Sequence, residues 1–194
     1  FARNDFLLIP DVPKQTLSAL MRGRLEETQG LALLKQGKGE EAETRFRRAL
    51  TVFPKDSAWW RGATWNLGLA LEAQGKEKEA LDSMLMAAAA ASDKKPDPLD
   101  REYYFMLAYI ADKAGSMEEV ENALEKVLSH APDDHEALNF LAYVWAEKGV
   151  KLDKAERFIA SALAADGKNP AYLDSMAWVL FKKGNIKEAV KYID

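Results

Sequence analysis

Two histidines, His130 and His135, flank Pro132 and stand beside Asp133 and Asp134. Imidazole and carboxylate groups bind divalent metals, so this stretch brings metal-ligand types together. Its spacing argues against a site, because the proline denies the two rings one helix face at i, i+4. They read as helix-end and loop side chains. Carboxylates pair at Glu40-Glu41 and Glu118-Glu119. Both pairs open expected helices, where negative charge meets the positive end of the helix dipole, and neither suggests an acid/base couple. The sequence contains no Gly-rich phosphate loop, Gly-x-Ser-x-Gly turn or His-Glu-x-x-His pair. It contains no cysteine, which excludes disulfides, zinc–thiolate sites and thiol nucleophiles. No catalytic, cofactor-binding or metal-binding residue is assigned, and the chain is expected not to be an enzyme.

Binding chemistry remains. The 27 basic residues are set against 31 acidic ones. That balance offers no strong field for nucleic acid or an acidic membrane. Arg45, Arg47 and Arg48 form one basic cluster, which reads as a solvated face, and no nucleic-acid partner is expected. The longest apolar run, residues 84–91, falls far short of the roughly 20 residues that span a bilayer. No transmembrane segment is expected, and the compartment stays open.

The elements that position the remaining side chains are repeats. Residues 138–193 hold two copies of one pattern. Leu138, Leu141, Ala142, Trp145, Gly149, Ala155 and Ile159 are matched by Leu173, Met176, Ala177, Leu180, Gly184, Ala189 and Ile193. Ala155 and Ala189 are 34 residues apart. A period in the thirties with two apolar helical stripes per copy predicts an array of helix-turn-helix units. Three earlier copies turn near Gly37, Gly75 and Gly115. Their small residues recur at Gly30, Gly68 and Ala108, and again at Ala42, Ala80 and Val120. Small side chains at a helix crossing let backbones approach, so these positions are expected to be core.

Taken in order, residues 1–22 form a lead-in and a first helix. Pro10 and Pro13 predict an extended start, and a helix from near Lys14 either enters the first repeat or breaks at Gly23. The array spans 23–194, with repeats near 23–56, 57–100, 101–134, 135–169 and 170–194. The alanines at 87–91 are expected to be helical. Asp93 to Pro98 combines charge with two prolines and predicts a loop insertion. The chain starts without methionine and stops inside its last expected helix, so it reads as an excised or processed piece of a longer protein.

This spacing resembles the tetratricopeptide repeat (TPR). Leu67-Gly68-x-x-Leu71 and Ala42-x-x-x-Phe46-x-x-Ala49 with Pro54 fit its pattern closely. The fourth copy departs by one extra residue around Val150 to Leu152, and residues 169–178 look most like repeats of bacterial proteins. The resemblance implies an all-α, right-handed superhelix of about five repeats. It also implies a concave groove, lined by the first helix of each pair, that holds a peptide or partner protein. One known use, a carboxylate clamp on a chaperone tail, needs Lys and Asn, then Asn, then Lys and Arg. The matching positions here hold Glu27 and Leu31, then Asn66, then Glu102 and Met106, so that use is not expected.

On the same resemblance, the groove positions are Leu31, Trp65, Leu69, Phe105, Tyr109, Asn139, Tyr143, Asp174 and Trp178, with Glu147 and Lys182 at the edge. Their aromatic character suits a binding surface, since tyrosine and tryptophan offer large rigid contact area. The competing reading packs them on neighbouring helices or covers them with residues 1–13. Trp59-Trp60 has the same two readings, surface anchor or ring packed under the preceding helix. The function expected is a non-catalytic scaffold or adaptor for a protein partner. The alternatives are a recruiting segment of a larger enzyme and self-association through the open end after Ile193.

Overall fold

The computed structural model describes residues 14–91 and 99–193. The expected lead-in at 1–13 and the loop at 93–98 lie outside the described residues, so neither is tested. The chain divides into two compact units, 1–98 and 99–194. The first holds α1 (Lys14–Lys35), α2 (Gly39–Leu50), α3 (Ala58–Glu72) and α4 (Glu77–Ala89). The second holds α5 (Arg101–Lys113), α6 (Met117–His130), α7 (His135–Lys148), α8 (Leu152–Ala165), α9 (Pro170–Lys182) and α10 (Ile186–Val190). No strand occurs among the described residues. Each helix packs on its hairpin mate, and in both units the second helix of a pair also packs on the first helix of the next.

Local chemistry sets the ends. The first helices of the last four pairs are capped by Ser57, Asp100, Asp134 and Asn169, whose side chains accept backbone N–H bonds in the first turn. Pro170 follows Asn169 at the first helical position. The hairpin turns use Gly37, Gly75, Gly115, Gly149 and Gly184 at φ between 68° and 82°, which only glycine adopts freely. The extra residue of the fourth repeat is absorbed by Lys151, also left-handed at φ 49°.

The structure decides one open helix end and corrects another. Of the two readings for α1, the helix runs on into the first repeat and does not break at Gly23. A Cβ there would stand 2.6 Å from Phe53, so this glycine serves close packing. The alanine run leaves the helix at Ala89, and Ala90 and Ala91 turn away. Ala91 is still buried there, so the chain turns while packed, and alanine's helix propensity alone does not carry the helix on.

The core follows the small-residue rule. Ala42, Ala80, Val120 and Ala155 are fully buried. Gly30 admits Phe46 and Gly68 admits Met84, with both of those large side chains fully buried. Ion pairs then join the first, third and fourth repeats to their successors. Within the first unit, Lys76 beside its turn glycine donates to Glu43 of α2 at 3.0 Å. Within the second, Lys151 donates to Glu121 of α6 and Lys183 to Glu156 of α8, each at 2.5 Å. Glu43, Glu121 and Glu156 occupy one equivalent position, directly after Ala42, Val120 and Ala155.

Candidate partner-binding site

Each unit presents its own share of the expected groove residues. In the first unit Leu31 is exposed, while Trp65 and Leu69 are half-buried. Asn66, the one residue that matches the chaperone-tail clamp, is used internally: its Nδ2 donates to Glu27 Oε1 at 3.2 Å. Glu27 is buried and also paired with Arg24. Burial pushes its carboxyl up from the ordinary range, against the pull of Arg24 and Asn66. Trp59 and Trp60 pack on the cluster of Leu20, Ala49, Phe53 and Ala63, which decides for the packed reading. The three arginines of α2 are already engaged. Arg45 and Arg48 reach Glu26, and Arg47 donates to Glu43 at 2.8 Å.

Six expected groove residues lie in the second unit. Phe105 is half-buried, and the Arg101 guanidinium sits 4.1 Å above its ring. Arg101 is in turn held by Asp134 at 2.5 Å and Glu136 at 2.5 Å. Tyr109 is exposed, with the Lys113 ammonium 4.8 Å over its ring. Asn139 is half-buried, and its Oδ1 is buried without a hydrogen-bond donor among the described residues.

The structure brings Tyr143, Asp174 and Trp178 together. They line one cleft of about 400 Å³. α7 contributes Tyr143 and Glu147, α9 contributes Asp174, Ala177, Trp178 and Phe181, and α10 supplies an apolar wall. The Trp178 and Phe181 rings stack at 5.4 Å and 15°, and the Lys182 ammonium lies 4.8 Å over Trp178. The indole N–H of Trp178 is buried with no acceptor among the described residues. The Tyr143 hydroxyl is pushed above its ordinary range. Burial contributes most, followed by the negative charges of Glu147, Asp174 and Asp112. The cleft can therefore hold an apolar group beside a donor or a cation.

Sequence reasoning missed the α10 wall. Ile186, Ala189, Val190 and Ile193 lie at helical spacing and read as ordinary core. The available signal was Val190, which stands where Glu43, Glu121 and Glu156 carry the inter-repeat ion pairs. Among the described residues no His, Asp or Glu cluster is arranged for a metal. His135 Nδ1 lies 2.6 Å from the Tyr172 hydroxyl, and His130 Nδ1 lies 2.9 Å from the Lys126 carbonyl. No described helix is long and apolar enough to cross a membrane.

Comparison with known proteins adds to this geometry. A family model described as tetratricopeptide repeat matches residues 27–94 and 121–170, and a second one matches 102–134. A TPR repeat-containing protein of Pseudomonas aeruginosa is 28% identical over 165 residues, covering 83% of this chain and 26% of the relative. The chain thus spans about a quarter of that relative's length, and the bacterial source agrees with the character of residues 169–178. Among solved structures, a TPR protein from Parabacteroides merdae aligns at TM-score 0.77 and 19% identity, covering 89% of this chain and 64% of that one. MamA from Desulfovibrio magneticus aligns at 0.74 and 17%, covering 89% and 91%. YrrB, a TPR protein with an unusual peptide-binding site, aligns at 0.70 and 20%, covering 87% and 81%. At these identities the structures establish the TPR solenoid fold.

Proposed function

Because the chain belongs to the tetratricopeptide repeat family, we propose that it is a non-catalytic interaction module that captures a protein partner on the aromatic face of its second unit. One observation carries the reading: Tyr143, Asp174 and Trp178 converge on a cleft whose other walls are apolar. Tyr109 and Tyr143 are 42% and 38% exposed, more than a repeat core requires. Large rigid rings of this kind dominate interface energetics when a partner excludes water from them. The peptide-binding site named for YrrB supports the same use of the fold. The test is capture of partners by the intact chain and by Tyr109→Ala with Tyr143→Ala. The expected result is at least roughly tenfold weaker binding with unchanged helical circular dichroism. Loss of helical signal in the double variant would instead make these rings structural and overturn the reading.

A further inference from the structure

We propose that the groove between α2 and α4 binds a small organic cation, an ammonium group carried on a single aromatic ring. The site lies within the first unit and does not rest on partner capture by the second. α2 and α4 wall a cavity of about 290 Å³ whose floor is α3. A cavity of roughly 150 Å³ holds a benzene ring, so this one has room for a ring and a short chain. Its floor is apolar in effect. Leu67 and Leu71 are buried, and the half-buried Trp60 adds aromatic surface. The hydroxyls of Thr64 and Ser83 donate to the backbone carbonyls of Trp60 and Thr64, at 2.8 and 2.9 Å.

The second unit shows what fits such a groove. Counted from Gly68 and Ala80 against Ala142 and Ala155, Leu71 stands where Trp145 does and Ser83 where Phe158 does. In the second unit those two rings pack at 5.3 Å. Trp145 is fully buried, and its indole N–H donates to Glu121 of α6 at 2.5 Å. The chain thus fills the place between α6 and α8 with its own aromatic side chains. In the first unit a leucine and a serine leave the corresponding space open. Packed interiors leave few voids larger than a water molecule, so the missing rings specify a ring-sized occupant. Met86, 53% exposed at the rim, supplies an adaptable wall.

Charge reverses in step with the filling. In the second unit Lys154 lies 4.8 Å over the Trp145 ring and 5.2 Å over Phe158, and Arg157 follows it. The same two positions of the first unit hold Glu79 and Asp82, which line the cavity. Both carboxylates are exposed, and neither is in an ion pair among the described residues. Arg47 on the facing wall is already held by Glu43 at 2.8 Å. The second unit therefore supplies both ring and cation, and the first supplies two carboxylates and a space. A ring that brings its own ammonium completes the arrangement, with the charge at Glu79 and Asp82. An anion of the same shape meets repulsion there.

Three small probes test the proposal. Phenethylamine carries ring and ammonium, hydrocinnamate replaces the ammonium by a carboxylate, and butylamine lacks the ring. Each is titrated into the full chain while backbone amide resonances are followed by NMR. Phenethylamine should shift Trp60, Ser83 and Met86 with a Kd of about 1 mM or below. It should bind about tenfold more tightly than either counterpart. Glu79→Gln with Asp82→Asn, at exposed positions, should erase its preference over hydrocinnamate. Ser83→Phe, which puts a ring in the space, should abolish binding, with circular dichroism confirming the fold. If that variant does not fold, the exposed neutral variant decides. No shift at these residues up to about 10 mM amine, or equal binding of either counterpart, would overturn the proposal. So would a preference that survives the neutral variant, or a folded Ser83→Phe chain that binds as the parent does.

Discussion

Gly30→Ala adds one methyl group at a close helix crossing of the first unit. The new Cβ would stand 2.6 Å from Phe46 Cε1 and 2.9 Å from Cδ1 and Cζ. Carbon atoms in contact prefer about 3.5–4.0 Å, and Phe46 is fully buried, so its ring has no solvent side to swing into. Overpacking of this kind costs about 1–3 kcal/mol. Alanine's better helix propensity offsets roughly 0.8–1 kcal/mol of that. A 2.6 Å approach to a fully buried ring belongs in the upper part of that range, about 2–3 kcal/mol, so the net loss is about 1–2 kcal/mol, and a chain of this size shifts its melting midpoint by about 2–4 °C per kcal/mol. Thermal unfolding followed by circular dichroism should therefore show a drop of about 2–8 °C. Phe46→Leu frees space at the same crossing. In a double-mutant cycle, Gly30→Ala should cost less in the Phe46→Leu background by about 1 kcal/mol. A Gly30→Ala chain that melts at or above the parent, or a cycle without coupling, would show that close approach is not why glycine stands there.

The other predictions concern charge. Asp134→Ala removes the α7 cap and the partner of Arg101 together. It should cost about 1–2 kcal/mol in urea unfolding, and Asp134→Asn, which keeps a capping oxygen, should recover most of it. Burial alone would raise the Glu43 carboxyl, but hydrogen bonds from Gln74, Lys76 and Arg47 hold it down to about 2 against an ordinary 4.5. A carboxyl depressed by folding stabilises fully above its unfolded value and loses that stabilisation as pH falls from about 4.5 to 2. The contribution is at most about 3 kcal/mol. The stability difference between the parent and Glu43→Gln should therefore be largest near neutrality and shrink through that window. A difference that stays constant down to pH 2 would refute the assignment.

The helices were largely legible because each is written twice over, in a stripe and in its punctuation. The glycine turns and the capping residues Asp134 and Asn169 specify backbone geometry locally. Ala90 and Gly23 were less legible. Helix length there depends on what packs alongside, Phe53 in the case of Gly23, and that neighbour lies thirty residues away in sequence. The site was half legible. Tyr143, Asp174 and Trp178 could be placed by repeat position, since a repeat converts sequence spacing into a shared face. Phe105 carries the same periodic signal, yet Arg101 covers it, because a cation reaches it from the turn before. Phe181 and Val190 were missed for the converse reason: an apolar residue at helical spacing looks like core until its exposure is known.

The lysine–carboxylate links from α2, α6 and α8 join a repeat to its successor, whereas the buried alanines and glycines hold each hairpin to itself. These two sets of forces respond to different variables. Screening weakens exposed ion pairs and leaves apolar packing nearly untouched. In an array whose stability is a sum of unit and nearest-neighbour terms, added salt should therefore leave the hairpins and the apolar part of each junction, such as Trp59 and Trp60 on Ala49 and Phe53, in place and trim only the ionic share of the coupling. Ionic strength would then adjust, without abolishing, how far a local opening spreads from one hairpin to the next.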